Sequence, residues 1–154
     1  MDPVDTKIVR SLMTEGRITN TRLARAVGLS ESATLERVRR LESSGVIQGY
    51  GARVDPQAVG RKLEVIMAFT LRKQKPEDVI HFGNAMTSMD EVLDCAQVLG
   101  RFDFIAHVAL QDVPALESFI HDKVIPLGLV DRMESLTVLK TLKRAHPPLP
   151  LSEA

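Results

Sequence analysis

Apolar residues in the first third of the chain recur at helical spacing. Ile8 and Leu12, four apart with Val9 beside them, make one buried stripe. Asp2-Pro3 supplies a cap and a first helical residue, because proline has no N–H to leave unpaired there. This first helix is expected to end near Gly16. A second, capped by Thr19 or Asn20, runs through Val27 with Leu23 and Val27 inward. Gly28 supplies the left-handed residue that stops it, and Leu29 follows as an apolar plug. Ser30 caps a third helix, with Glu31 well placed against the helix dipole. At 100° per residue Leu35, Val38, Leu41 and Glu42 fall on one side, with Thr34 at its edge. Ser32, Ala33, Glu36, Arg37 and Arg40 fall on the other, with Arg39 on the flank. Val46 to Tyr50 alternates between glycines and predicts a strand or short hairpin, a wing beside the helices.

Beyond Asp55-Pro56 the period changes from helical to alternating. Lys62 to Arg72 predicts a strand apolar on both faces, and Pro76 to about Met89 a helix with Val79, Phe82, Gly83 and Met86 inward. Glu91 to Leu99 and Phe102 to Leu110 predict two strands joined at Gly100-Arg101. Val113 to Val124 predicts a helix, Arg132 to Lys143 a last strand, and His146 onward a loose tail. This βαββαβ order makes a ferredoxin-like sheet with both helices on one face. The expected class is α+β: a winged helix-turn-helix over 1–50, a linker over 51–61, a ferredoxin-like domain over 62–144 and a tail over 145–154. An uncovered sheet face with apolar residues points to a dimer through that face.

Composition adds limits. The 154 residues are 44% hydrophobic and 26% charged, which is ordinary for a globular protein. The zero net charge hides an asymmetry: nine Lys/Arg face six Asp/Glu up to Val54, and eleven face fourteen after it. A basic N-terminal third on an acidic remainder fits two modules with different partners. The single Cys95 excludes an internal disulfide framework and fits a reducing cytoplasm. No apolar run approaches the ~20 residues that span a bilayer, so no membrane partner is expected. His81, His107, His121 and His146 show none of the close pairings of a zinc site, and no phosphate-cradling glycine loop occurs. Neither enzyme chemistry nor a cofactor is expected.

Helix, glycine-containing turn, helix is the arrangement that places its second helix in a DNA major groove. Small polar groups at the start of the third helix admit close approach to base edges, and Arg37 and Arg40 are one turn apart for guanine or phosphate. The candidate DNA-facing set is Thr19, Asn20, Ser30, Ser32, Ala33, Glu36, Arg37 and Arg40. The plain alternative for these charges is a solvated helix face. Arg53 reads as surface, or as a phosphate contact.

Asp5-x-x-Ile8, Gly16-Arg17-Ile18-Thr19-Asn20, Ala26-Val27-Gly28-Leu29-Ser30, Leu35 to Glu42, Gly45 to Tyr50 and Gly100-x-Phe102-Asp103 together resemble the leucine-responsive regulator/AsnC, or feast/famine, transcription regulators. The resemblance covers nearly the whole chain in one order. It implies double-stranded DNA as a partner, a C-terminal effector domain of the RAM type, and dimers that assemble into tetramers or octamers. It also implies an amino-acid effector bound between effector domains. By position, the DNA-reading helix is Glu31 to Ser43. The effector pocket is Leu99, Gly100, Arg101, Phe102 and Asp103 with Leu136, Thr137 and Val138. There Asp103 is suited to an α-ammonium group, or to an ordinary turn, and Thr137 offers a hydroxyl. The position of Arg101 is often acidic in the family, which implies a shifted, polar or acidic effector. Some proteins of similar architecture are tetrapyrrole decarboxylases, and an assembly partner that no longer touches DNA is a third possibility.

Overall fold

A computed structural model describes residues 1–52 and 54–142. They fall into two compact units: residues 1–52 belong to one, and Val54–Leu142 form the other. The expected tail over 145–154, with His146, and the readings of Arg53 lie outside the described residues.

In the first unit, α1 (Pro3–Thr14) is capped by the Asp2 carboxylate, which accepts from the Asp5 N–H at 2.7 Å. The Thr19 hydroxyl accepts from the Arg22 N–H at 3.3 Å to start α2 (Asn20–Val27). Gly28, at φ 75°, stops it in the left-handed region. The N–H groups of Gly28 and Leu29 both donate to the Ala24 carbonyl. The Ser30 hydroxyl accepts from the Ala33 N–H at 3.2 Å and opens α3 (Glu31–Ser43). Ile8, Leu23, Val27 and Leu41 form the shared core, with Leu12, Ile18, Leu29, Val38 and Ile47 against it.

No strand forms over Val46 to Tyr50, so the expected wing is absent among the described residues. A strand needs a backbone partner, and this segment spends its contacts otherwise. The Ile47 N–H donates to the Leu41 carbonyl at 3.0 Å, and the Tyr50 hydroxyl donates to Glu42 Oε1 at 2.9 Å.

The second unit begins with a single turn of 3-10 helix at Gln57–Val59. It continues through β1 (Leu63–Leu71), α4 (Pro76–Thr87), β2 (Val92–Gln97), β3 (Phe104–Leu110), α5 (Val113–Ser118) and β4 (Val130–Thr137). The strands lie in the order β2-β3-β1-β4, all antiparallel, which is the ferredoxin-like topology. The second helical run covers the expected Val113 to Val124, but only Val113–Ser118 of it is α-helical. After Ser118 it widens into π-helical turns over Phe119–Val124, then tightens at Ile125–Leu127. Pro126 cannot donate, and the run ends after Leu127 at Gly128, which takes the left-handed region at φ 68°. The last strand stops at Thr137 rather than Lys143, because Thr137 already pairs with Val65 and β1 begins only two residues before that.

On the helix-covered face, Val65, Met67 and Phe69 of β1 and Ala106 and Val108 of β3 pack on Phe82, Met86, Phe119 and Val124. Phe82 sits between Phe69 and Phe104, with ring centroids 5.2 and 4.8 Å away in tilted geometry. The other face carries Ile66, Ala68, Ile105 and Leu136, but it is not uniformly apolar. Glu64, 8% exposed, lies diagonally across from His107 with Oε2 and Nε2 3.0 Å apart.

Candidate functional site

The two N-terminal ends of the helix-turn-helix are fastened together. Asn20 Nδ2 at the start of α2 donates to the Glu31 carbonyl at the start of α3, at 2.9 Å. Ser30 Oγ lies 3.2 Å from Ser32 Oγ, so both hydroxyls sit at the exposed entry to α3. One turn further on, Thr34 is fully buried, since its hydroxyl donates to the Ser30 carbonyl at 2.9 Å. That satisfied hydroxyl lets a polar residue occupy the core seat.

With Thr34 inward, α3 is rotated from the expected register. The inward stripe is the buried Thr34 and Leu41 with the half-buried Val38, and Leu35, expected inside, is 39% exposed. Glu42 is exposed as well. The outward face therefore carries Ser32, Leu35, Glu36, Arg39 and Ser43. Arg39, expected on the flank, lies in this outward group, exposed and without an ion-pair partner among the described residues.

Arg37 and Arg40, expected on the DNA-facing side, are drawn away from it. Both turn toward α1. Arg37 Nη1 binds Asp2 and reaches Asp5 Oδ1 at 2.8 Å, and Arg40 Nη2 reaches Asp5 Oδ2 at 2.7 Å. Asp5 is 5% exposed, so its charge requires these partners. The Arg37 side chain is only 29% exposed, whereas Arg40 at 61% keeps donors open to solvent. A signal for this was present: Asp2 and Asp5 share the three-residue spacing of Arg37 and Arg40. The Asp5 N–H, then the Arg37 guanidinium, hold the Asp2 carboxyl below its ordinary range. Reciprocally, Asp2 and Asp5 push the Arg37 guanidinium higher. Burial, then Glu42, pushes the Tyr50 phenol up to about 12.

In the second unit, the β2–β3 turn is closed by the Val98 N–H donating to the Asp103 carbonyl at 2.9 Å. Asp103 is the clasp that joins this turn to the end of β1. Its N–H donates to the Phe69 carbonyl at 2.8 Å. Its Oδ2 accepts from the Leu71 N–H at 2.8 Å and its Oδ1 from Gln74 Nε2 at 2.6 Å. The carboxylate expected for an α-ammonium group is thus engaged on both oxygens. Leu99 is fully exposed, and a Cβ at Gly100 would meet nothing within 4 Å. Arg101 stacks over Phe102 at 4.4 Å and donates to Glu134 Oε2 at 2.9 Å. Arg132, missed in the sequence, donates to Glu134 Oε1 at 3.1 Å.

Leu136 follows Glu134 on the open face and is 60% exposed, with Val138 next along. Thr137 instead pairs with the core residue Val65, so it alternates onto the opposite side of the sheet from Glu134. One chain therefore does not bring Thr137 into the group with Arg101. Burial, then Asp94, raises the Cys95 thiol. Among the described residues no cluster of three or more His, Cys, Asp or Glu is placed to hold a metal, and no helix is long and apolar enough to cross a membrane.

Residues 1–42 match the AsnC-type helix-turn-helix domain, and residues 64–148 match the Lrp/AsnC ligand binding domain. The leucine-responsive regulatory protein of Escherichia coli K12 is 32% identical over 146 residues, covering 95% of this chain and 89% of that one. A Neisseria meningitidis transcriptional regulator solved with L-Met superposes with a TM-score of 0.89 at 31% identity, covering 97% of this chain and 96% of that one. The feast or famine regulatory protein of Mycobacterium tuberculosis, complexed with L-methionine, gives 0.87 at 35% identity, with 97% and 99% covered.

Asp5→Asn keeps the side-chain shape and removes the charge that holds two guanidiniums. A denaturant titration should show the first unit losing about 1.5–3 kcal/mol; an unchanged midpoint would contradict the clamp. Acid should act in the same direction. Asp2 titrates lower in the folded chain than its ordinary 3.8, so its contribution is complete above that pH. It is lost as pH falls through the folded value.

Proposed function

This chain belongs to the Lrp/AsnC family of transcription regulators, and from that premise we propose how its parts divide the work. DNA reading lies in residues 1–50, linkage in 51–61, and effector binding and assembly in 62–144. The observation that carries the DNA-reading assignment is the helix-turn-helix whose third helix leaves Ser32, Leu35, Glu36 and Arg39 outward while its other cations are held by α1. Ser32, Glu36 and Arg39 face base edges, with Leu35 as the apolar contact for a thymine methyl. Thr19, Asn20, Ser30 and Ala33 line the approach to the backbone, and the open donors of Arg40 take phosphate. Arg37 positions the helix and makes no base contact.

The protein works in the cytoplasm as a regulator without catalytic activity. A small amino-acid effector sits against Leu99 to Phe102 and Leu136, in a site completed by a second copy. Glycine at position 100 supports this, because the fold of one chain leaves open space beside it. The methionine complexes of the Neisseria and Mycobacterium relatives support an amino acid as the ligand class. Dimers form through the open sheet face around Ile66, Ala68, Ile105 and Leu136 and assemble further, to tetramers or octamers. An effector shifts that assembly, or the spacing of the DNA-reading heads, to the extent that it binds the alternative states unequally.

Fluorescence anisotropy with the DNA upstream of this protein's own gene, at two salt concentrations, tests the reading. Binding should resist scrambled competitor and weaken as salt rises. Affinity no better than for scrambled DNA would count against it. For the assembly, Ile66→Glu places an unpaired charge in the proposed interface. Sedimentation should show the variant as a folded monomer, and an unchanged mass would remove the sheet face as the contact.

A further inference from the structure

At the end of the sheet where β4 passes the β2–β3 turn, two guanidiniums share one carboxylate. Glu134 gives Oε2 to Arg101 and Oε1 to Arg132, at 2.9 and 3.1 Å. Phe102 lies under both cations, with its ring centroid 4.4 Å from Arg101 and 5.8 Å from Arg132. Stacking on an aromatic face and a shared carboxylate fix the planes of two otherwise flexible side chains. The group of three keeps one surplus positive charge. The Arg101 and Arg132 side chains remain 69% and 58% exposed, so most of their N–H donors face solvent in a set orientation.

We propose that Arg101 and Arg132 form a seat for the side-chain carboxylate of an acidic amino-acid effector, so that this chain responds to a glutamate- or aspartate-like ligand. Planar guanidiniums take carboxylates with matched geometry, and two of them around one acid leave the charge for a second. The ligand carboxylate joins through the outer N–H groups, and Glu134 remains as the spacer that aligns both arginines. The apolar neighbours Leu99 and Leu136 then flank the methylene groups, as the exposure of both allows. This inference rests on the proposed effector role of the β2–β3 turn.

Isothermal titration of the full chain with L-glutamate, L-aspartate, L-glutamine, L-leucine and L-methionine tests it. An acidic ligand should bind at least tenfold more tightly than L-glutamine, and more weakly as salt rises. Arg132→Ala should collapse the glutamate-to-glutamine ratio toward one. A purely structural role for Arg132 would weaken both ligands together and leave the ratio standing, which would overturn the proposal. Preference for leucine or methionine, or no binding of either acidic amino acid, would also overturn it. Operator binding measured on the same preparation separates the two readings. Glutamate binding without operator binding supports the seat and defeats the regulator assignment, and operator binding with leucine preference does the reverse.

Discussion

A buried carboxylate sets the geometry of the N-terminal unit. Asp5 lies on the inner side of α1 at 5% exposure, where an unpaired charge would cost several kcal/mol. The neutralising groups come from α3, and they come as a pair, Arg37 and Arg40. Hydrophobic packing by Ile8, Leu23, Val27 and Leu41 holds the three helices together but is tolerant of small rotations. Charge-assisted hydrogen bonds are not. They select the rotation of α3 in which Thr34 goes in and Leu35 comes out, and with it the set of side chains that remains available to a partner.

Much of this architecture was legible from local chemistry. Caps at Asp2, Thr19 and Ser30 and the left-handed stop at Gly28 each act within four residues, so residue type alone announces them. The four strands and their ferredoxin-like order likewise followed from the change of hydrophobic period and the lengths between elements. The rotation of α3 did not. Thr34 and Leu35 differ by 100° on the helix, and hydropathy alone favours leucine for the core. What tips the balance is the Ser30 carbonyl that accepts the threonine hydroxyl, together with a carboxylate thirty residues away. The wing failed for a similar reason: alternation between Gly45 and Gly49 describes a strand only if a partner backbone exists to receive it.

The C-terminal unit repeats the lesson at its turn. Asp103 has the chemistry to hold an ammonium group, but it is used to clasp the turn to Leu71 and Gln74. Arg101 was recognisable as a departure, and its neighbours Arg132 and Glu134 were not, because they meet it from a strand thirty residues later. In both units, polar groups that looked available for a partner serve first to fix the geometry of the chain. The groups left over, Arg39 on α3 and the surplus charge around Glu134, are the ones the proposed recognition uses.

The most direct test compares Arg39→Ala with Arg37→Gln, each measured for operator affinity and for its unfolding midpoint. Loss of a base contact costs about 1–3 kcal/mol, so Arg39→Ala should lose roughly tenfold or more in operator affinity at an unchanged midpoint. Arg37→Gln should lower the midpoint and cost the folded fraction less operator affinity than Arg39→Ala does, because Arg40 still holds α3 to Asp5. The opposite pattern, with Arg37 essential for the operator and Arg39 indifferent to it, would contradict the account.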